Sequence, residues 1–142
     1  MNFHRTRHQR RTRRGFTLIE VIIAVTIVAL LSMLIVPNVM KLLGDAKVNK
    51  AKADVNTLAN NVRLYMVQNG MSQLTSDFDL SKLCEGDDAL ITNPNQLIDP
   101  WKHPYVVIYP PTYNKDFDIV SYGADGQPGG EGQAKDIING AP

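Results

Sequence analysis

From Phe16 to Val36 the chain is apolar with a single charge, Glu20, and beyond Val36 apolar residues return at every third or fourth position as far as Tyr65. The first stretch holds 21 residues, enough at about 1.5 Å per residue to cross a hydrocarbon layer of roughly 30 Å. It predicts a membrane-spanning helix. In the second, Val48, Ala51, Val55, Leu58, Val62 and Tyr65 share one face, while Asp45, Lys47, Lys50, Lys52, Asp54, Asn56, Asn60 and Arg63 occupy the others. That spacing predicts an amphipathic helix, and Asn69-Gly70 supplies its stop. Joined, residues 16–36 and 37–69 predict one helix of about 50 residues, roughly 80 Å long. Pro37 has no amide hydrogen to donate, so the helix should kink or loosen around residues 33–37, with Gly44 as a second weak point.

Residues 70–142 are left for one small globular domain. Between 70 and 99 scattered leucines mix with Asp77, Asp79, Glu85, Asp87 and Asp88, and Asn93-Pro94 marks a turn; short helical turns or loop are expected there. Tyr105-Val106-Val107-Ile108-Tyr109 is rich in β-forming residues, and Phe117-Asp118-Ile119-Val120-Ser121 alternates apolar and polar character. With Pro110-Pro111 and the residues after them as the connection, the two predict an antiparallel hairpin whose apolar face covers Val55, Leu58 and Val62. The fold class is α+β.

Charge changes the picture at the N-terminus. The formal net charge is +1, but six of the 15 basic residues are Arg5, Arg7, Arg10, Arg11, Arg13 and Arg14, in a leader with no acid. Beyond it nine Lys and Arg face 14 Asp and Glu, a balance of −5, which excludes a basic binding surface for the chain as a whole. A nucleic-acid arm explains the leader less well than the positive-inside rule, which keeps it in the cytoplasm and sends the C-terminal domain across. Ala29 and Ser32 offer no small-residue cleavage site of the ordinary secretory kind, so the anchor is expected to be kept. Cys84 is the only cysteine; it admits no internal disulfide and reads as structural or incidental. His103, between Lys102 and Pro104, reads as a turn or surface residue, and no serine has a nucleophile-elbow context. No enzyme is expected.

A carboxylate in an apolar helix is costly and calls for a partner. Arg13-Arg14-Gly15-Phe16-Thr17-Leu18-Ile19-Glu20 resembles the type III signal of the type IV pilin superfamily. The resemblance implies cleavage between Gly15 and Phe16 by a prepilin peptidase, methylation of the freed Phe16 amine, and Glu20 as the fifth residue of the product. It also implies a proline near position 37, with the helix melting beside it in assembled filaments.

The C-terminal third narrows the resemblance. Asp99-Pro100-Trp101, His103-Pro104-Tyr105 and the run Asp118-Ile119-Val120-Ser121-Tyr122-Gly123-Ala124-Asp125-Gly126 resemble blocks of the major pseudopilin of type II secretion systems. The likeness spans residues 15–69 and 99–139. Lys102 stands where that family usually has Gly, and the C-terminus lacks its common Trp. The implied architecture is a type IV pilin-like fold: a long N-terminal helix on a small antiparallel sheet with a C-terminal calcium-type loop.

Residues 121–136 carry Asp125, Glu131 and Asp136 among five glycines. Calcium takes six to eight oxygens from carboxylates and carbonyls, but the spacing is not that of an EF-hand, and by itself it is equally that of a solvated Asp-Gly turn. The resemblance implies a structural Ca2+ ion, with Asp125 and Asp136 as first and last acidic ligands and Tyr122 lending a carbonyl. Glu131 stands in for an acid displaced from the family's pattern, and Gln127 is a further candidate through its carbonyl.

The implied role is a structural subunit that polymerises with itself into the periplasmic pseudopilus and drives export of folded proteins across the outer membrane. The implied partners are minor pseudopilins, the prepilin peptidase and an inner-membrane assembly platform, with no nucleic acid. The alternatives are a type IV pilin or minor pseudopilin, and a membrane-anchored periplasmic binding domain that never polymerises.

Overall fold

A computed structural model describes residues 15–141. The leader expected at residues 1–15 therefore lies outside the described residues except for Gly15. The described residues fall into two compact units that divide after Val39, and one helix, α1 (Leu18–Gln68), contributes residues to each.

In the first unit every residue from Phe16 to Val39 is exposed, the apolar ones included. α1 opens with a reciprocal cap: Thr17 Oγ1 accepts from Glu20 N at 3.3 Å, and Glu20 Oε2 accepts from Thr17 N at 2.8 Å and Thr17 Oγ1 at 2.9 Å. This is the capping box written as Thr17-x-x-Glu20. Within the apolar run, Thr26 and Ser32 donate back to the Ile22 and Val28 carbonyls at 2.8 Å, leaving neither hydroxyl unpaired in an apolar setting. The helix is unbroken through Pro37. Only one ladder bond is lost there, and Asn38 Nδ2 adds a donor to the Leu34 carbonyl at 3.2 Å.

In the second unit α1 buries Gly44, Ala51, Val55, Leu58, Ala59 and Val62, with Val48 and Tyr65 half-buried at the margin. The predicted face is the one that packs. The helix ends where Asn69-Gly70 stops it: Gly70 takes φ +62, its N–H donates to the Val67 carbonyl at 3.2 Å, and Met71 N donates to the Met66 carbonyl at 2.8 Å. That pair of bonds is a Schellman closure, which needs a left-handed residue and so favours glycine.

Against this face lies a three-stranded antiparallel sheet in the order β1 (Val106–Ile108), β2 (Asp118–Ser121), β3 (Ile137–Ile138). The predicted hairpin forms with Val106 opposite Val120, Val107 opposite Ile119 and Ile108 opposite Asp118. The third strand was not predicted, because two residues carry no alternation to read; it pairs Ile138 with Val120 and Ile137 with Ser121. Phe117, Ile119, Ile137 and Tyr105 face the helical core residues in one cluster. Tyr105 also donates to Asp54 Oδ2 at 2.9 Å, and burial followed by that carboxylate holds its phenol well above the ordinary value.

Residues 70–99 are packed, not open loop. Two 3-10 turns, Leu80–Cys84 and Pro94–Leu97, are capped by the Asp79 and Asn93 side chains, and Leu74, Leu80, Leu83 and Ile91 complete the core. Cys84 lies half-buried against the same cluster.

Candidate functional site: the C-terminal loop and its anchors

Two buried carboxylates organise the segments on either side of β2. Asp99 Oδ1 accepts from Trp101 N at 2.9 Å and His103 N at 2.8 Å, and its Oδ2 accepts from Ser121 Oγ at 2.7 Å. The first and last of the sequence blocks singled out above are thus joined inside the protein. Asp118 accepts from Thr112 N and Oγ1, Tyr113 N, Asn114 N and Asn114 Nδ2, all between 2.7 and 2.9 Å. Burial pushes its carboxyl up, but the Asn114, Tyr113 and Thr112 donors outweigh it and hold the group below the usual carboxylate range. Five donors on one carboxylate keep the β1–β2 connection in one shape. The connection also holds Asp116, which pairs with Arg63 Nε at 3.0 Å while the same guanidinium lies 5.4 Å from the Phe117 ring centre.

Lys102 has φ +81, the one non-glycine residue with positive φ among those described. The turn after Trp101 therefore keeps the left-handed residue that a glycine would accept without strain. The chain end is held without a Trp. Asn139 Oδ1 accepts from Ile119 N at 2.6 Å, Asn114 Nδ2 donates to the Asn139 carbonyl at 2.9 Å, and Gly140 N donates to Asn56 Oδ1 at 3.0 Å.

The loop that leaves β2 contains the predicted calcium residues. Tyr122 is half-buried; Asp125, Gln127 and Glu131 are exposed. Asp125 Oδ1 accepts from Gln127 N at 3.1 Å, closing an Asx turn. Asp136 is half-buried, and its two oxygens accept from Gly129 N at 3.0 and 2.9 Å. Glu131 begins the 3-10 turn Gly132–Ala134 but its side chain does not cap it. The loop crosses itself where Ala124 N donates to the Gln133 carbonyl at 2.9 Å. At that crossing Gly123 has φ +65, and a Cβ on it would lie 2.6 Å from the Gln133 carbonyl oxygen.

Among the described residues no three His, Cys, Asp or Glu side chains come together as a metal-holding group. Asp125 and Asp136 each bond to a main-chain amide instead. The donors available are all oxygen, three carboxylates with main-chain carbonyls on a glycine-rich backbone, and that chemistry suits a hard cation.

Three of the four anchors lie in blocks singled out from the sequence, but no role was visible there. Asp99, Ser121, Asp118 and Asn139 are polar residues buried to within 3% exposure, and nothing local distinguishes them from turn residues. His103 follows the turn, partly exposed as its sequence position implies, and its Nδ1 lies 3.0 Å from the Gly123 carbonyl. At the other end of the chain, Gly15 and Phe16 are exposed ahead of α1, Phe16 at 89%, and Glu20 occupies the capping box.

Residues 38–140 match the family described as type II secretion system protein G, and residues 10–36 match the prokaryotic N-terminal methylation motif. The type II secretion system core protein G of Pseudomonas aeruginosa is 34% identical over 92% of this chain and 97% of its own length. The proteins of the same description from Escherichia coli and Vibrio cholerae are 33% and 31% identical, over 89% and 91% of this chain and 90% and 92% of their own.

Proposed function

Because the chain belongs to the type II secretion system protein G family, we propose that it is the structural subunit of a pseudopilus, anchored by residues 16–36 in the bacterial inner membrane with its C-terminal domain in the periplasm. The observation that carries this reading is an apolar helix exposed along its whole first half in a chain that also matches the methylation motif. A stripe of that size requires lipid or other helices around it.

In this reading the prepilin peptidase cuts between Gly15 and Phe16 and methylates Phe16. Subunits leaving the membrane exchange lipid for one another's helices, and a repeated head-to-tail contact that does not close yields a filament. Glu20 of one subunit pairs with the Phe16 amine of a neighbour, setting axial register. The capping box supports this role, since it holds the carboxylate in the first helical turn, close to where a freed amine would begin. Growth from an inner-membrane assembly platform, with minor pseudopilins, pushes folded proteins outward.

The calcium part of the reading assigns Tyr122, Asp125, Gln127, Glu131 and Asp136 as the residues that would hold the ion. Bound calcium would supply a fixed positive charge that neutralises the loop's acids. The residues themselves supply the restraint already visible: the Asp125 and Asp136 carboxylates engage main-chain amides and shape the loop from both ends.

Intact-mass measurement of the membrane-extracted protein tests the core of the proposal. A chain starting at Phe16 with one added methyl group is expected. An unprocessed or unmethylated chain that never forms filaments when the secretion apparatus is present would refute it.

A further inference from the structure

We propose that His103 is a positioning residue for the C-terminal loop, fixing the Gly123 peptide from which the loop departs. Gly123 is held from both sides: its N–H donates to Ser121 Oγ at 3.2 Å and its carbonyl receives His103 Nδ1 at 3.0 Å. A carbonyl only accepts, so Nδ1 carries the hydrogen. The ring also closes under the next turn, for a Cβ on Gly126 would lie 3.0 to 3.1 Å from its Nε2, Cδ2 and Cε1 atoms. One side chain thus bonds the residue before Ala124-Asp125 and fills the space that a side chain on the residue after it would need.

His103 is itself fixed. Its N–H donates to Asp99 Oδ1 at 2.8 Å, its carbonyl accepts from Asp99 N at 2.7 Å, and Asp99 Oδ2 takes Ser121 Oγ. The bonds form a closed ring: Asp99 to Ser121, Ser121 to Gly123, Gly123 to His103, and His103 back to Asp99. Such a ring sets the planes of the peptides around Gly123, and with them the placement of the Tyr122 carbonyl and the Asp125 side chain. Neighbours held in one arrangement before a ligand arrives lower the cost of ordering them on binding.

The link to calcium rests on the reading above, and the test separates the two. Hydrogen exchange is measured on the full chain in detergent micelles, with calcium chloride and with chelator, and calcium chloride titrations are followed by calorimetry. In chelator His103→Ala should speed exchange at residues 123–127 by about two- to tenfold, the equivalent of one net hydrogen bond, with α1 unchanged. The same variant should weaken calcium binding by a similar factor. His103→Asn, whose Nδ2 reaches the place of Nδ1, should stay near the parent, whereas His103→Gln should not. Exchange in chelator equal to the parent for both Ala and Gln variants overturns the positioning role. If His103→Ala fails to fold, the Asn and Gln variants still decide, since equal protection in both overturns it. A parent that takes up no calcium while His103→Ala loosens the loop removes the calcium reading and leaves His103's role standing.

Discussion

Ser121 Oγ donates to the buried Oδ2 of Asp99 at 2.7 Å, joining the end of β2 to the turn that precedes β1. Removing the hydroxyl leaves a carboxylate oxygen buried at 3% residue exposure without that donor. Ser121→Ala should therefore cost about 2 kcal/mol, the range for an orphaned buried acceptor. Denaturant unfolding followed through Trp101 fluorescence measures it, and a change under about 0.5 kcal/mol, the low end for a net hydrogen bond, would contradict the importance given to this bond.

Asp118 predicts an acid limit to stability. Its folded carboxyl lies below the ordinary value of 3.8 because the donors from residues 112–114 outweigh burial. The folded state thus binds that proton less readily than the unfolded state. The contribution is fully present above the unfolded value and is lost as pH falls through the folded one. Thermal stability should drop as pH is lowered below 3.8. Asp118→Asn should cost about 3 kcal/mol near neutrality, because an amide cannot accept from all five donors, and should flatten this acid limb. An unchanged slope in the variant would assign the limb to other groups.

At Lys102 the prediction is a gain. A left-handed conformation costs a non-glycine residue about 1 to 2 kcal/mol, part of which glycine returns as unfolded-chain entropy. Lys102→Gly should raise stability by about 1 kcal/mol, a shift of roughly 4 to 8 °C in Tm for a domain of this size. The side chain is exposed, so its loss removes no core contact. A lower Tm would mean that Lys102 makes a contact worth more than the strain.

For Glu20 the prediction separates two roles of one carboxylate. Thr17→Val removes the hydroxyl from the capping box and leaves the charge, costing the helix end about 1 kcal/mol. Glu20→Ala removes the charge and the two bonds that Glu20 Oε2 accepts, and leaves Thr17 Oγ1 to accept from the backbone N–H of residue 20. If axial register depends on the Glu20 charge, filament yield should collapse in Glu20→Ala and survive in Thr17→Val, as read by shearing assays and cysteine cross-linking between neighbours. Equal yields would reduce Glu20 to a cap.

A calcium ion bound in the C-terminal loop would make the loop's order depend on the ion. Chelation should make residues 121–136 protease-sensitive and reduce assembly, and Asp125→Ala should reproduce both without chelator. A binding-competent folded loop gains about 2.7 kcal/mol at a hundredfold excess of ion over its Kd, so the melting temperature should rise with calcium in the parent and not in the variant. Identical proteolysis with and without chelator would defeat it.

The sequence by itself determined the long helix, its two halves and its ends. Periodicity, the uninterrupted apolar run and Asn69-Gly70 all act within a few residues of one another, where local sterics and hydrogen bonding decide the conformation. It also determined the β1–β2 hairpin. Tertiary structure alone decided the rest. β3 exists because β2 offers it an edge; residues 70–99 are ordered because Leu74, Leu80, Leu83 and Ile91 find the face of α1. Asp99 meets Ser121 across 22 positions, His103 meets Gly123 across 20, and Asn56 meets Gly140 across 84. A buried polar residue is stable only with its partner, and pairs that far apart leave no periodic trace. The same residue types with no partner in reach would be solvated turns.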